Sequence, residues 1–135
     1  MSDQNVVSVR RHIDDVFNDG NLDVVDEIFT KDFLYHQPDG GEMKGRDALK
    51  QMARMFRHAL PDLRCKIEDQ VAAGDKVVTR WSLRGTHQGK MMGIAPTGKE
   101  VSVWGTVIHR FEGGKIAEAW DAYDTLSLMK QIGAS

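Results

Sequence analysis

Two aspartates near the end of the sequence, Asp121 and Asp124, are the residues best suited to acid–base chemistry. They stand three positions apart in a strand-like segment, so we expect their side chains to point to opposite faces of it. Inside an apolar pocket, desolvation raises the pKa of a carboxylate such as Asp121 toward the range useful for proton abstraction. The alternative is that Asp121 is an exposed or ion-paired strand residue. For Asp124 we favour a structural role as the N-cap of a final helix.

His36 is the second candidate catalytic residue. It follows the apolar run Phe33–Tyr35 and precedes a turn around Pro38. A neutral imidazole at that place can project into a pocket and polarise a carbonyl group or shuttle a proton. The alternative is a histidine at a strand end that is bonded to the backbone.

The other histidines are predicted to be structural. We expect His87 to hold the loop that follows it by a hydrogen bond, His109 to lie on a packed or dimer-forming strand face, and His12 and His58 to be solvated on helices. The histidines and aspartates form no short-range pair of the His-x-His type, and Cys65 is the only cysteine, so we expect no metal site.

Apolar and aromatic residues are predicted to wall the pocket and bind a small hydrophobic organic ligand: Trp104, Tyr123, Met52, Phe56, Met91, Met92 and Ile94. Met91 and Met92 lie in a glycine-flanked loop, where flexible, polarisable methionines suit an adaptable lid over an aromatic or polyene ligand. Plain core packing is the alternative for these residues, and we favour it for Phe56.

The hydrophobic spacing changes from helical to strand-like at Pro61. Three helices are predicted before it: one that ends at about residues 18–20, one with Asn21 as its N-cap that buries residues up to Phe29, and one from about Arg46. After it we expect a hairpin around residues 73–76, long strands over 77–86, 99–111 and 115–124, and a short last helix. This order predicts an α+β, cone-shaped domain, in which a curved mixed or antiparallel sheet wraps around the three helices and encloses a pocket.

The composition is that of one globular domain spanning residues 1–135, with 41% hydrophobic and 28% charged residues. The net charge of −2 and the absence of a basic stripe argue against nucleic acid as a partner, and no apolar stretch is long enough to cross a membrane. The lone Cys65 and a start without a signal-peptide pattern favour a cytoplasmic location. We expect a homodimer through the outer sheet face, which carries Trp, Val and Arg side chains.

Several motifs in the second half of the chain together resemble one family. They are Arg80-Trp81, Gly85-Thr86-His87-Gln88-Gly89, Gly93-Ile94-Ala95-Pro96-Thr97-Gly98, Arg110-Phe111, Gly114-Lys115-Ile116 and Glu118-Ala119-Trp120-Asp121. In this order and spacing they are similar to the SnoaL-like polyketide cyclase family, a branch of the nuclear-transport-factor-2-like superfamily. The resemblance extends from about Val6 to Gly133.

The resemblance implies an enzyme without a cofactor that closes a ring by intramolecular aldol condensation of a polyketide ester. It places the proton-abstracting aspartate at Asp121, while Ala119 stands where those cyclases have a histidine. Because a fold alone does not settle a reaction, three functions remain open. They are a lyase or isomerase that uses Asp121 and His36, a non-catalytic domain that binds a small hydrophobic molecule, and a dehydratase or hydrolase of the same architecture.

Overall fold

A computed structural model describes residues 2–133 and contains one six-stranded sheet with helices on its inner face. The strand order is β2-β1-β6-β5-β4-β3. The strands are β1 (Phe29–His36), β2 (Glu42–Lys44), β3 (Arg64–Ala73), β4 (Lys76–Thr86), β5 (Glu100–Glu112) and β6 (Lys115–Tyr123). All neighbouring pairs are antiparallel except β1 and β6, which run parallel. The α+β expectation is confirmed, with a mixed sheet.

The central strands bury one face and expose the other, as the alternating sequence predicts. Along β5, Val101, Val103 and Val107 are buried, whereas Ser102 and Trp104 between them are exposed. The inner face of the sheet therefore packs against the helices, and the outer face carries the polar and aromatic side chains that lie between the buried ones.

Four α-helices accompany the sheet within residues 2–133. Helix α1 (Ser2–Arg11) continues into a π-helical segment, His12–Asn18, and is followed by α2 (Val24–Ile28), α3 (Arg46–Ala59) and α4 (Thr125–Gln131). Gly20 has a positive φ of 74° just beyond the first helix, as expected for a glycine that ends one. Within residues 2–133, no helix is long and apolar enough to cross a lipid bilayer.

The second helix differs from its prediction. It begins at Val24 rather than directly after Asn21, and Asp23, which makes no side-chain capping bond, occupies the N-cap position. Phe29, expected on this helix, is the first residue of β1 and is fully buried. The apolar spacing of this segment therefore gave the buried residues correctly but not the point at which the helix becomes a strand.

The pairing of β1 with β2 and β6 was not predicted from the sequence, although the strand-like run from Phe33 to His36 was. β2 is only three residues long and pairs with the end of β1, where His36 is opposite Glu42. On its other side, β1 lies beside β6, with Tyr35 opposite Ala119. This pairing brings residues from opposite ends of the chain together on the inner face of the sheet.

Candidate active site

A cavity that is partly open to solvent lies between the inner sheet face and the helices. Its wall is mainly apolar. The remaining lining residues, those with polar atoms, are His12, Tyr35, Cys65, Trp81, His109, Asp121 and Tyr123. None of the described residues that line it is a lysine or an arginine. An apolar hollow with a few convergent polar groups is the usual form of a small-molecule site.

Asp121 is the only carboxylate among the described lining residues. Its Oδ2 accepts a hydrogen bond of 2.6 Å from the Tyr35 hydroxyl, and its Oδ1 is buried with no hydrogen-bond partner. Burial raises the pKa of Asp121 to about 6, against the opposing effects of the Tyr35 hydroxyl and the nearby Trp81 side chain. A carboxyl group in this state can hold or release a proton near neutral pH.

The position of Tyr35 follows from the parallel pairing of β1 with β6. Tyr35 is opposite Ala119, two residues before Asp121, and side chains two apart on a strand share a face. Burial, and then the charge of Asp121, raise the pKa of Tyr35 well above its ordinary value. The hydroxyl therefore stays protonated and remains a donor to the carboxylate.

Trp81 and Tyr123 form an aromatic wall beside Asp121. Both are cross-strand neighbours of Gly105, and their rings meet edge to face with centroids 5.5 Å apart. A Cβ atom at Gly105 would lie 2.8 Å from an atom of each side chain, so this contact requires glycine at that position. Burial raises the pKa of Tyr123 to about 12, which keeps this phenol neutral too.

Cys65 also lines the cavity, but its thiol is poorly suited to act as a nucleophile. Burial raises its pKa to about 12, so the reactive thiolate is scarce at neutral pH. Within residues 2–133, no group of three or more His, Cys, Asp or Glu side chains is arranged to hold a metal ion.

His36 does not reach the cavity, in contrast to its prediction. Because Tyr35 faces inward, the next residue on the strand faces the outer side of the sheet. There the His36 ring stacks on Trp120, with centroids 5.3 Å apart, and its Nε2 lies 2.7 Å from Glu118 Oε2. The expected role of His36 as a pocket residue is therefore wrong.

Trp104 is a second correction. We expected it to line the pocket, but its side chain is 67% exposed on the outer sheet face. Its neighbour Val103 lines the cavity instead. The physical reason is again the alternation of a strand, since only one of two consecutive residues can face inward.

The other predicted wall residues divide into three groups. Met52, Phe56 and Tyr123 line the cavity. Met91 and Met92 line an adjoining outer hollow, which shares Tyr35, Met52, Phe56 and Tyr123 with the cavity. Ile94 packs against the core and forms an isolated bridge with Met91, and it lines neither hollow. The two methionines thus stand at the outer end of the site.

The sequence analysis did not place His12 and His109 in the cavity wall, and it missed Tyr35 and Trp81 as well. Both histidines are buried, with 7% and 3% of their surface exposed, and their rings meet edge to face with centroids 5.7 Å apart. His12 was expected in solvent, and His109 in a packed position. The alternating run from Val101 to Phe111 did place His109 on the buried face, but nothing in the local sequence indicated that this face borders a cavity.

Three predictions about polar residues outside the cavity are confirmed. Asp124 caps α4, because its Oδ1 accepts a hydrogen bond of 2.9 Å from the Ser127 backbone. His87 holds the loop after β4 through its Nδ1, which lies 3.0 Å from Thr97 Oγ1. His58 is exposed on α3.

Comparison with known proteins identifies a family for this arrangement. Residues 7–132 match the family model described as SnoaL-like polyketide cyclase. No curated protein matches the chain.

Three solved structures illustrate the likeness. A candidate SnoaL-like polyketide cyclase from Jannaschia sp. CCS1 is 26% identical, with a TM-score of 0.92 over 99% of this chain and 94% of that one. TsrD from Streptomyces laurentii is 27% identical, with a TM-score of 0.87 over 97% and 96%. IdmH, a candidate polyketide cyclase from Streptomyces antibioticus, is 26% identical, with a TM-score of 0.83 over 97% and 99%. The match extends over nearly the whole of each chain.

Proposed function

The chain belongs to the SnoaL-like polyketide cyclase family, and on that premise we propose that it is a cofactor-independent cyclase or isomerase. Its substrate would be a small, hydrophobic, polyketide-like ester. The reaction begins by removal of a proton from the carbon next to a carbonyl group and continues as an aldol-type ring closure. Asp121 is the proposed base.

The observation that carries this proposal is the state of the Asp121 carboxyl group. It lies in an apolar cavity, one oxygen is fixed by Tyr35 at 2.6 Å, and the other has no partner. Its pKa of about 6 makes it ionised for the most part at neutral pH and yet basic enough to take a proton. Fixing one oxygen leaves the carboxylate oriented, with capacity to bond at the other.

The proposed reaction returns the carboxylate to its starting state. Asp121 takes the α-proton, and the electrons of the broken C–H bond form an enolate whose charge rests on the carbonyl oxygen. The enolate carbon attacks a second carbonyl carbon of the same molecule, a C–C bond forms, and the π electrons of that carbonyl move to its oxygen. The protonated Asp121 then gives its proton to this alkoxide. Water is not a reactant in these steps, in keeping with the apolar wall.

The test uses 2-tetralone, a bicyclic ketone with acidic protons at C1, because proton abstraction is measurable without the natural substrate. We expect the protein to accelerate exchange of these protons in D2O, followed by NMR, and Asp121→Asn to lower the rate by about 10²–10⁴-fold. Asp124→Asn is the matched control, since it makes the same chemical change at the helix cap and retains an oxygen that can accept the capping bond.

The outcome separates the remaining functions. Binding of 2-tetralone without accelerated exchange would favour a non-catalytic binding domain. Exchange that persists undiminished in Asp121→Asn would remove Asp121 as the base and leave a dehydratase or hydrolase with other catalytic groups as the next candidate.

We also propose that two copies of the chain pair through the outer sheet face. Trp104 is exposed there, and Ile108 and Trp120 are only partly buried on the same side. An apolar patch of this kind is typical of an interface rather than of a face left in water. The single cysteine, Cys65, is a free thiol, which supports action in a reducing compartment such as the cytoplasm.

A further inference from the structure

His12 and His109 form a pair of imidazole rings in the wall of the cavity. We propose that this pair is a second polar subsite, which hydrogen-bonds an oxygen atom of an uncharged ligand whose reacting carbonyl lies at Asp121. The inference deepens the proposed function by naming a substrate class, and it rests on that function only in taking the cavity as the ligand site.

The two rings are buried without the hydrogen bonds that buried imidazoles normally make. The Nδ1 atoms of His12 and His109 have no partner in the protein. The rings around His12 are apolar, with Phe17 and Phe29 in edge contacts at centroid distances of 5.2 and 4.9 Å. Since buried polar groups are nearly always bonded to protein, water or ligand, unpartnered atoms at a cavity wall indicate a polar group that joins them.

Both rings are neutral near pH 7. Burial lowers the pKa of His109 to about 4, and burial together with the neighbouring His109 lowers that of His12 well below its ordinary value. A neutral imidazole has one N–H donor and one acceptor nitrogen. The pair can therefore bond a hydroxyl or a carbonyl oxygen but gives no charge to hold a carboxylate or phosphate.

The charge of the cavity as a whole also favours an uncharged ligand. Asp121 is acidic, and none of the described lining residues is a lysine or an arginine. An anionic ligand would lose its hydration without gaining a countercharge, which is costly in an apolar site. The ligand is therefore uncharged at both ends, which fits an ester better than a free acid.

The helix that carries His12 is distorted in a way that creates this subsite. From His12 to Asn18 the chain is π-helical, in which residues five apart are neighbours. His12 and Phe17 are five apart and in contact, whereas an ordinary α-helix turns residues five apart by about 140° from each other. Such distortions often occur at functional sites.

The end of this segment is firmly held. Arg57 Nη1 donates to the backbone oxygens of Phe17 and Asn18, both at 2.7 Å, and the Asn18 side chain exchanges two hydrogen bonds with the backbone of Cys65. The position of His12 in the wall is thus supported from both α3 and β3.

The strand register indicates how far apart the two oxygen-containing groups of the ligand lie, one at His109 and one at Asp121. His109 is opposite Ala119, and Asp121 is two residues further along β6, so the two are diagonal neighbours on one face. Diagonal neighbours lie about 7–8 Å apart. Ala119 lies between Tyr35 and His109 in the same row of the sheet and is packed in the core. The substrate class is therefore an uncharged, mainly apolar molecule with a carbonyl group at Asp121 and a second neutral oxygen on the side of His109.

The experiment compares 6-hydroxy-2-tetralone with 2-tetralone, which differ only by a hydroxyl group on the side away from the ketone. We expect wild-type protein to bind the hydroxylated compound about fivefold more tightly, as one neutral hydrogen bond allows. His12→Phe and His109→Phe should each abolish that preference, so that the two compounds bind with equal affinity whatever the variant does to the affinity for 2-tetralone itself. His58→Phe, at an exposed histidine, is the matched control and should retain the preference.

A second measurement on wild-type protein makes the test independent of variants that fail to fold. The side-chain ¹⁵N resonances of His12 or His109 should move on adding 6-hydroxy-2-tetralone and much less with 2-tetralone. Resonances that stay in place, or a preference that survives both phenylalanine variants, would overturn the subsite. Failure of Asp121→Asn to slow proton exchange would instead count against the proposed base alone, because neither binding readout needs turnover.

Discussion

Asp121 and Asp124 have the same side chain three positions apart, but their surroundings give them opposite roles. Asp121 lies on the inner face of β6 among apolar groups, so its charged form is poorly solvated and its pKa is high. Asp124 follows the end of the strand and bonds the first turn of α4. The residue type is the same in both cases, and the loss of water around Asp121 makes the chemical difference.

The pH dependence of catalysis should report the ionisation of Asp121. A base must be unprotonated, so kcat/KM for 2-tetralone exchange is expected to rise with pH through about 6 and then to level off. Tyr35→Phe removes a hydrogen bond that favours the carboxylate, and the midpoint should therefore move to higher pH. A midpoint that falls or stays fixed in Tyr35→Phe would contradict this account of the site.

Asp121 should also make the folded protein less stable at neutral pH. Its folded pKa is raised to about 6 from the ordinary value of 3.8, so its unfavourable contribution is absent below pH 3.8 and complete above pH 6. A difference of this size corresponds to about 3 kcal/mol at most. Asp121→Asn is therefore expected to raise the free energy of urea unfolding at pH 7 and to change it little at pH 4.

The same comparison controls for other titrating groups. The low pKa values of His12 and His109 destabilise the fold in acid in both proteins, and this effect cancels in the difference between wild type and variant. If Asp121→Asn raised the free energy of unfolding equally at pH 4 and pH 7, the cause would be packing rather than the burial of a charge.

At the scale of elements, the site depends on the connection between the last strand, β6, and the short helix α4. β6 supplies Asp121 and ends at Tyr123, and the chain then turns into α4 through the cap at Asp124. Leu128 on α4 is buried and lines the cavity. The cap thus connects β6, which carries Asp121, to a helix that closes part of the cavity wall.

Removing the cap should weaken the protein without removing the chemistry. Asp124→Ala loses the hydrogen bond to the Ser127 backbone, and we expect the free energy of unfolding to fall by about 1 kcal/mol. Asp124→Asn should restore most of it. Thermal unfolding measures the loss, and 2-tetralone exchange at a temperature where both variants are folded should stay near the wild-type rate. A large drop in exchange would mean that Asp124 takes part in the reaction.

For the whole molecule, the two faces of the sheet differ in what they contact and expose. The inner face holds the cavity, and the outer face presents Trp104 together with ion pairs such as Arg84–Glu100 and the His36–Glu118 contact. His36 is thus part of the outer surface that we propose as the interface, on the opposite side of the sheet from the cavity.

The proposed dimer gives a direct prediction of mass. Sedimentation at micromolar concentration should give twice the 15.2 kDa of one chain. Trp104→Lys should shift the protein toward the single-chain mass, because a charge replaces the most exposed aromatic side chain of the outer face. Val7→Lys, at a half-exposed position on α1, is the control and should leave the mass unchanged. A single-chain mass for the wild type would refute the dimer.

The sequence alone predicted most elements correctly, and it also gave Asp121 as the candidate base, which stays a prediction. Spacing at 3.6 residues marked the first helix and α3, alternation marked β4, β5 and β6, and glycine-rich turns marked the hairpins. These signals are local, since each residue's environment follows from its neighbours along the chain. The family resemblance points to the same residue, Asp121, because the motif that contains it lies within one strand.

The tertiary structure decided which side chains share the cavity. The parallel pairing of β1 with β6 brings Tyr35 to Asp121 across 86 positions of the chain, and it turns His36 outward. The π-helical turn carries His12 into the wall, where it meets His109 from β5. The sequence could not settle these points, because a shift of one residue in a strand reverses its faces, and only the packing of distant segments fixes that choice.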